Sequence, residues 1–296
     1  MPLQDAIPDR LKFRWRQFVL SRREAWWKAH AGEVRSFLFD VQPGVRLRLH
    51  LDSELSRLIY CRHFESTERA FLNAFLRPGD TFVDVGANIG LFTVIAASRV
   101  GPRGRVFSFE PTPETFARLI ENVEANGFEH VSCQQLALSD QTGNLEITKS
   151  LDGFDAWNSL AQPKMGERFA TAKIPTMSWD GFAQEHDLVG RVTMMKIDVE
   201  GWESRVLLGA RQFLSRSDAP TLQVEFTDGA AMAAGSSCCE IYNLLEEFGY
   251  TMFLFDPGKR ALVLDPLRSE YPNANLFAVK NVGPVSARLQ EGTDHD

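Results

Sequence analysis

A glycine-containing loop follows the apolar stretch TFVDV, in the run VDVGANIG of residues 83–90. Gly86 permits a turn that a side chain would obstruct, and Asn88 tolerates a left-handed backbone better than most residues. Gly90 is predicted to let the following helix pack close to the strand. At the carboxyl end of a parallel strand, such a loop brings backbone N–H groups close to a ligand. Asp84, two residues before the first glycine, adds a carboxylate, which suits a cationic ligand.

The spacing of this loop differs from that of the common phosphate-binding loops. The dinucleotide fingerprint has glycines at relative positions one, three and six, which here are Gly86, Asn88 and Leu91. No Gly-Lys-Ser/Thr triplet follows, so the loop is not a P-loop. The loop therefore argues against an NAD-dependent oxidoreductase and against a P-loop enzyme.

Two further segments extend the candidate site along the chain. Glu110 ends the stretch RVFSFE, at about the distance where a nucleoside-binding fold has its ribose carboxylate. Its two oxygens can accept from vicinal hydroxyls, although an acid at a helix N-terminus is the alternative role. The segment LALSD, residues 136–140, ends a third strand and offers a surface for a purine. Together with the glycine loop, these features describe a site for S-adenosylmethionine.

A second group of reactive side chains lies in MMKIDVEGWE, residues 194–203. Asp198 ends the fourth strand and is predicted to orient or deprotonate a methyl acceptor. The alternative is that Asp198 only binds the cofactor or caps the next helix. Glu200 and Glu203 are weaker candidates, because an acid in a first helical turn suits the helix dipole. Lys196 shares a strand face with Asp198 and is predicted to pair with that acid or with another buried one.

Acids after the fifth strand raise the question of a metal. Glu225 and Asp228, together with Asp198, are candidate ligands for Mg²⁺, which prefers carboxylate and water oxygens. Acids at strand ends are common without a metal, so the sequence does not favour one.

Other side chains near the strand ends could contribute to the site. His63 is a weaker candidate base, with a surface or core position as the alternative. Three tryptophans, Trp157, Trp179 and Trp202, offer faces that suit sugar rings, although tryptophan is also an ordinary packing residue. Their number favours a carbohydrate acceptor.

These side chains are positioned by apolar strands that alternate with amphipathic helices from about residue 81 onward. This alternation predicts a parallel sheet covered by helices on both faces. The last two strands, TMFLFD and NLFAVK, have no long helix between them and are expected to pair antiparallel at one edge. VSCQQLAL is predicted to be one strand, SDQTGNLEITKS a small hairpin, ESRVLLGARQFL one helix and residues 151–175 irregular.

The ordered motifs D-V-G-A-N-I-G, F-E-P, A-L-S-D and K-I-D-V-E-G-W-E resemble the FkbM-type methyltransferases, over roughly residues 60–280. The resemblance implies the class I S-adenosylmethionine-dependent fold, a Rossmann-like doubly wound α/β sheet of seven mostly parallel strands with an antiparallel last strand. It also implies O-methylation of a hydroxyl on a sugar, glycolipid or secondary metabolite. The segment WNSL, residues 157–160, is similar to a serine-rich segment of the family but departs from it at Trp157 and Asn158.

In the family, residues that match Asp84, Gly86, Asn88 and Glu110 hold the cofactor. The cofactor-binding residues predicted here are Asp84, Gly86, Ala87, Asn88, Gly90, Glu110, Pro111, Leu138, Ser139 and Asp198. The predicted catalytic residues are Asp198, Glu200 and Lys196. The alternatives are a nucleoside-binding or regulatory module without catalytic activity and, less favoured, an NAD-dependent oxidoreductase.

The chain has 296 residues, of which 44% are hydrophobic and 24% charged, as is usual for a globular protein. A net charge of −7 argues against nucleic acid as an obligate partner and leaves a small-molecule or carbohydrate acceptor. Four cysteines without metal-site spacing indicate reduced thiols. With neither a membrane-length apolar run nor a secretory signal, the sequence favours a cytoplasmic location.

The N-terminal segment is basic and aromatic, and residues 10–35 are predicted to be helical. Its basic and apolar positions do not separate onto two faces, which favours a helix docked on the main domain. The alternative is a peripheral contact with a membrane or a lipid-linked substrate. Residues 37–51 predict a hairpin around Pro43-Gly44. We divide the chain into an N-terminal extension (1–60), a methyltransferase domain (61–284) and a tail (285–296).

Overall fold

Strands and helices alternate through most of the chain in the computed structural model, which describes residues 9–61, 64–150 and 169–291. Within these ranges the elements are, in chain order, α1 (Asp9–His30), β1 (Ser36–Gln42), β2 (Val45–His50), α2 (Glu54–Tyr60), α3 (Ser66–Phe75), β3 (Thr81–Val85), α4 (Leu91–Val100), β4 (Arg105–Phe109), α5 (Pro113–Ala125), β5 (Val131–Gln134), β6 (Ala137–Leu138), β7 (Gly143–Ser150), β8 (Phe169–Met177), α6 (Trp179–Glu185), β9 (Met194–Ile197), α7 (Glu203–Gly209), α8 (Arg211–Leu214), β10 (Thr221–Phe226), α9 (Asp228–Ala233), α10 (Cys238–Glu247), β11 (Thr251–Asp256), β12 (Ala261–Leu264), β13 (Ala274–Val279) and α11 (Val282–Glu291).

The main sheet has eight strands in the order β12-β11-β13-β10-β9-β3-β4-β5. Strands β10, β9, β3, β4 and β5 pair in parallel, and β13 runs antiparallel to both β10 and β11. This confirms the Rossmann-like, mostly parallel fold with an antiparallel last strand. An eighth strand, β12, pairs with β11 and forms the edge. The β11–β13 pair is therefore interior, whereas the sequence predicted it at an edge.

Alternation along the strands divides the core between the two faces of this sheet. In β3, Phe82 contributes to the cluster that contains Phe71 of α3 and Phe92 of α4. Val83 contributes to the opposite cluster, around Trp179 of α6. Because side chains alternate between faces, Asp84 shares the face of Phe82 and lies on the α3–α4 side of the sheet.

The region after β5 differs from the prediction. VSCQQLAL is not one strand, because β5 ends at Gln134 and β6 joins β8 in a separate three-stranded sheet, ordered β6-β8-β7. The predicted hairpin within residues 139–150 is also wrong, since β7 pairs antiparallel with β8 instead. Strand β8 occupies part of the segment predicted to be irregular. Residues 151–168, which include WNSL and Trp157, lie outside the described residues.

Two further predictions about the helices differ from the structure. The predicted helix ESRVLLGARQFL is broken between α7 and α8, at Ala210. Helix α11 occupies residues 282–291, with Val285 and Leu289 buried, so the prediction of a tail from residue 285 is wrong up to residue 291. The apolar residues at 282, 285 and 289 follow helical spacing, and this signal was present in the sequence.

The N-terminal segment packs against the rest of the chain. Strands β1 and β2 form the predicted antiparallel hairpin, and β2 contributes Val45, Leu47 and Leu49 to the cluster on the α3–α4 side of the sheet. In α1, Trp27 is 2% exposed, whereas Trp26 is 38% exposed. These contacts agree with a docked helix, and contact with a membrane or a lipid-linked substrate stays a prediction. No helix of the described ranges is both long and apolar enough to cross a bilayer.

Candidate active site

The carboxyl ends of four adjacent parallel strands bring the candidate residues to one edge of the sheet. Asp84 of β3 is in register with Ser108 of β4 on one side and with Lys196 of β9 on the other. Lys196 is in turn in register with Gln223 of β10. A row of buried polar side chains thus crosses the sheet directly below the loops at its carboxyl edge.

The glycine loop turns sharply where β3 meets its neighbours. Gly86 has φ of 80°, and a Cβ at this position would lie 1.8 Å from the carbonyl oxygen of Asp198. The N–H groups of Gly86 and Ala87 both donate to the carbonyl of Phe109, at 3.0 and 2.9 Å. Asn88 has φ of 50°, so the predicted turn at Gly86 and the predicted left-handed backbone at Asn88 are both confirmed.

Gly90 has a different neighbour from the one that the sequence suggested. We expected a close approach of helix α4 to the strand at this residue. A Cβ on Gly90, which has φ of 91°, would instead lie 2.7 Å from Cδ1 of Leu119 in α5. The glycine therefore permits contact between α4 and α5.

Glu110 is held beside the loop by backbone donors. Its Oε2 accepts from the N–H of Asn88 at 3.2 Å, and its Oε1 accepts from the N–H of Thr112 at 2.8 Å. Pro111 lies between Glu110 and Thr112, where the chain turns into α5. Burial raises the pKa of Glu110 to about 7, even though the two backbone donors favour the ionised form. The carboxylate is thus oriented before any ligand binds, and each oxygen keeps acceptor capacity for a hydroxyl.

Asp84 lies below the loop in a buried hydrogen-bond network. Its Oδ2 accepts from Thr93 Oγ1 at 2.7 Å, and Thr93 Oγ1 is also 2.8 Å from Ser108 Oγ. Its Oδ1 has no hydrogen-bond partner among the described residues. Burial raises the pKa of Asp84, and the charge of Lys196 opposes this effect. Direct contact between Asp84 and a cofactor stays a prediction.

Lys196 and Asp198 form the pair that the sequence predicted. Lys196 Nζ lies 2.7 Å from Asp198 Oδ2 and 4.8 Å from the ring centroid of Phe92. Burial by itself lowers the pKa of Lys196, but the nearby carboxylates, led by Asp198, hold it above its usual range. The Asp198 side chain is 16% exposed and that of Lys196 is 4% exposed. The carboxylate is therefore the more accessible member of the pair.

Three acids converge at the ends of β9 and β10. Asp198, Glu200 and Glu225 each offer one carboxylate oxygen, and these oxygens lie within 4.8 Å of one another. Asp228 is not part of this group, because its Oδ2 accepts from the N–H of Tyr271 at 2.6 Å. The candidate set that the sequence offered, Asp198, Glu225 and Asp228, therefore differs from this group in one member, because Glu200 is present instead of Asp228.

The backbone and burial of this group are unusual. Glu200 has φ of 54°, a conformation that residues other than glycine rarely adopt. Glu225 is 8% exposed; its Oε1 accepts from Thr227 Oγ1 at 3.0 Å, and its Oε2 has no partner among the described residues. Burial, reinforced by the charges of Asp198 and Glu200, raises the pKa of Glu225 to about 11.

Sequence reasoning missed the role of Glu203. This side chain is 2% exposed, and its Oε1 accepts from the N–H groups of Val199 at 2.9 Å and Gly201 at 3.3 Å. Gly201 has φ of 101°, and a Cβ there would lie 2.3 Å from the carbonyl oxygen of Ala230. Glu203 thus fixes the loop that carries Asp198 and Glu200, whereas the sequence suggested a weaker candidate base or an acid that suits the helix dipole.

Sequence reasoning also missed Glu65, which precedes α3. Its backbone has φ of 41°, and its Oε2 is buried with no hydrogen-bond partner among the described residues. Burial raises its pKa to about 8, and the charge of Lys196 opposes this effect. Glu65 is far from the site motifs in sequence, so no spacing signal could have linked it to them.

The segment predicted to hold a purine is buried in protein. Leu138 is 2% and Ser139 1% exposed. Ser139 Oγ donates to Asp140 Oδ1 at 3.0 Å and accepts from Trp202 Nε1 at 3.2 Å. A contact between this segment and a purine stays a prediction.

The prediction for the tryptophans is wrong at one position. Trp179 is fully buried and packs against the rings of Phe109, Phe182 and Phe213, so it offers no face to a sugar. Trp202 is partly buried, with the guanidinium of Arg205 5.8 Å from its ring centroid. His63 and Trp157 lie outside the described residues.

Comparison with known proteins identifies related sequences. The family described as the methyltransferase FkbM domain matches residues 84–252. The 31-O-demethyl-FK506 methyltransferase FkbM of Streptomyces tacrolimicus is 29% identical over 242 residues, which cover 69% of this chain and 85% of that protein. The hexuronic acid methyltransferase AglP of Haloferax volcanii is 28% identical over 193 residues, covering 64% and 75%.

Two other similarities are more limited. Methyltransferase 1 of Beauveria bassiana is 29% identical over 148 residues, covering 45% of this chain and 59% of that protein, less than two thirds of its length. The crystal structure of a methyltransferase FkbM from Methylobacillus flagellatus KT is 15% identical, with 76% of this chain and 54% of that chain covered. Its TM-score of 0.39 is too low to support an inference.

Proposed function

Because this chain belongs to the FkbM methyltransferase family, we propose that it transfers the methyl group of S-adenosylmethionine to a hydroxyl oxygen of a sugar, glycolipid or secondary metabolite. One observation carries the cofactor assignment: the Glu110 carboxylate is held by the N–H of Asn88 beside the glycine loop. A carboxylate fixed in this way can accept from two vicinal ribose hydroxyls. Two relatives have names that describe a hexuronic acid methyltransferase and a 31-O-demethyl-FK506 methyltransferase, which agrees with a hydroxylated acceptor.

The charge of the site also supports this cofactor. Asp84, Asp198, Glu200 and Glu225 lie at the carboxyl edge of the sheet or just below it. A positive charge favours the ionised form of a nearby carboxyl, so a cationic ligand would offset the burial that raises the pKa of Asp84 and Glu225. The sulfonium of S-adenosylmethionine carries such a charge, whereas the pyrophosphate of NAD would be repelled.

When bound, S-adenosylmethionine supplies a methyl group that is already activated for displacement. The protein must then hold the acceptor oxygen in line with the methyl carbon, and positioning of this kind accounts for most of the rate that a protein can add. We assign the orientation of the acceptor hydroxyl to Asp198, at the end of β9. Asp198 lies 2.7 Å from Lys196, and a carboxylate at this position can accept the hydroxyl proton as a general base.

The direct test is methyl transfer to a panel of uronic acids and other hydroxylated sugars, followed by mass spectrometry. We expect Asp198→Asn to lower kcat by about 10²-fold or more, as is typical for loss of a general base, with cofactor affinity largely kept. Asp187→Asn is the matched control, since Asp187 is exposed and pairs with Arg191. Cofactor binding without transfer to any acceptor would favour a nucleoside-binding module, and full activity in Asp198→Asn would refute the role of Asp198.

A further inference from the structure

We propose that Asp198, Glu200 and Glu225 bind a divalent cation of the Mg²⁺ class beside the methyl acceptor. The sequence alone did not favour a metal, and its candidate set included Asp228, which lies outside the group. The catalytic part of this proposal rests on the proposed function, whereas the binding of the cation does not.

The geometry of the three carboxylates is close to that of a bound site. One oxygen from each residue lies within 4.8 Å of the others. Ligand oxygens at about 2.1 Å from one Mg²⁺ lie at most about 4.2 Å apart. Only one pair among three octahedral ligands can be opposite, and the others lie about 3.0 Å apart, so shifts of up to about 2 Å in the side chains would bring the group to bonding distances.

A second observation points to a ligand at this position. Glu225 is more than nine-tenths buried, and its Oε2 has no hydrogen-bond partner among the described residues, while Thr227 occupies only Oε1. A buried carboxylate oxygen without a donor is costly unless a proton or a cation satisfies it. The ammonium of Lys196 lies 2.7 Å from Asp198, but one ammonium cannot balance three carboxylates that lie this close together.

A neighbouring side chain on the same strand face is also without hydrogen-bond partners among the described residues. Gln223 lies two residues before Glu225 on the same face of β10 and is fully buried. Neither its Oε1 nor its Nε2 has a partner among the described residues. Buried amides of this kind are usually satisfied by ordered water. Mg²⁺ usually keeps several of its waters when a protein binds it, so a hydrated cation would satisfy both features.

The position of the group suits a role in the reaction. Asp198 directly follows β9, next to the loop that begins at Gly86, and Glu225 lies near the end of β10. A cation there lowers the pKa of the acceptor hydroxyl as a Lewis acid. The O–H bond breaks with its proton passing to the Asp198 carboxylate, the general base of the proposed function, and the oxygen electron pair forms the new O–CH₃ bond. The C–S bond breaks with its electrons kept on sulfur, which leaves S-adenosylhomocysteine.

The test is a titration of the metal-stripped protein with Mn²⁺, followed by the loss of the free Mn²⁺ signal in electron paramagnetic resonance. We expect one site in the wild type and at least a tenfold weaker affinity in Glu225→Gln. Asp228→Asn is the matched control and should bind as the wild type does, because an asparagine oxygen can still accept from Tyr271. Glu200→Gln provides a second variant if Glu225→Gln fails to fold.

The outcomes separate this proposal from the proposed function. Absence of Mn²⁺ binding, or equal binding by the wild type and both glutamine variants, would overturn the cation site. Methyl transfer that continues undiminished in excess EDTA would overturn its catalytic role. Mn²⁺ binding that is lost in the variants supports the cation site, whether or not S-adenosylmethionine binds. Failure of S-adenosylmethionine to bind would refute only the methyltransferase assignment.

Discussion

At the residue scale, two carboxylates of the site have different tasks because their surroundings differ. Glu110 accepts from two backbone N–H groups in a buried position, which fixes its orientation. Asp198 is paired with the buried Lys196 and remains partly exposed, so its carboxylate can contact a substrate. We therefore propose cofactor binding for the first and orientation of the acceptor for the second.

The pKa of Glu110 gives cofactor binding a pH dependence. Burial raises this pKa to about 7, so the carboxyl is largely protonated at pH 6 and largely ionised at pH 8. A protonated carboxyl accepts fewer hydrogen bonds from ribose hydroxyls. We expect the Kd for S-adenosylmethionine to be up to about tenfold weaker at pH 6 than at pH 8.

Calorimetric titration across this pH range measures the effect, with Glu110→Gln as the matched variant. The glutamine cannot ionise, so its Kd should be weaker than that of the wild type at pH 8 and nearly independent of pH. An equally steep pH dependence in Glu110→Gln would show that another group is responsible.

Gly86 is required for space as well as for backbone conformation. In Gly86→Ala the new Cβ would lie 1.8 Å from the carbonyl oxygen of Asp198, so β3 and β9 would have to separate. We expect a loss of about 3 kcal/mol or more in the free energy of unfolding, with loss of cofactor binding. Gly32→Ala is the control, because Gly32 has φ of 81° and nothing within 4 Å of a new Cβ.

Chemical denaturation of the two variants separates the two causes. Gly32→Ala should lose only about 1 kcal/mol, from the strained backbone conformation alone. Similar losses in both variants would mean that conformation, and not the contact with Asp198, explains the glycine at residue 86.

Residue types and local spacing were sufficient to predict Gly86, Asn88 and the Lys196–Asp198 pair. Each depends on a conformation or a strand face that neighbouring residues reveal. The tasks of Glu65 and Glu203 depend on which buried groups the fold brings to them, and a single sequence does not contain that information. The same reason explains the error at Asp228. Its carboxylate accepts a hydrogen bond from the backbone N–H of Tyr271, more than forty residues away along the chain.

At the element scale, helix α7 is joined to the site segment by a close contact. A Cβ on Gly209, at the end of α7, would lie 2.0 Å from the carbonyl oxygen of Ser139. Arg205 of the same helix pairs with Asp140 at 3.0 Å. The helix that follows Asp198 therefore also holds the segment after β6, so that both parts of the site are supported by one element.

Helix α11 stabilises the face of the sheet that carries α3. Leu289 is fully buried, and Arg288 pairs with Asp80 at 2.9 Å, just before β3. We expect Leu289→Ala to lower the free energy of unfolding by about 2–4 kcal/mol, as for other buried leucines. Val282→Ala, on the same helix but 40% exposed, should change it by less than about 0.5 kcal/mol.

Urea denaturation of both variants measures these changes. Equal and small effects would indicate that α11 adds little to stability and that the sequence prediction of a solvated tail was closer to the behaviour in solution.

The sequence predicted the elements of the central sheet well, because their apolar runs are separated by clear turns. Prediction failed where the chain passes from the main sheet, at β5, to the three-stranded sheet, at β6. Nothing within VSCQQLAL marks the change after Gln134, since both halves have strand-like residues and differ only in their partners. Strand β8 was missed because its partner β7 is separated from it by residues 151–168, so local spacing did not reveal the pairing.

At the scale of the whole molecule, the site places several ionisable carboxyls within the fold, and this gives the stability of the protein a pH dependence. Burial raises the pKa of Glu65 to about 8 and that of Glu110 to about 7. In the unfolded chain these groups lose their protons near pH about 4.3. Between these values the unfolded state binds fewer protons, so the free energy of unfolding falls as the pH rises.

We expect the ligand-free protein to melt at a lower temperature at pH 8.5 than at pH 5.5, at constant ionic strength. Glu65→Gln should reduce this difference, because one of the groups that cause it can no longer ionise. A melting temperature that rises over this range would contradict the burial of these carboxyls in the folded protein.

The most direct test of the site as a whole is isothermal titration of the purified protein with S-adenosylmethionine, S-adenosylhomocysteine and NAD, with Glu110→Ala alongside. We expect micromolar binding of the two sulfur nucleosides, lost in the variant, and no binding of NAD. Absence of binding by either sulfur nucleoside to the folded protein would contradict the proposed function, and the residues at 86–90 would then form only a tight turn between β3 and α4.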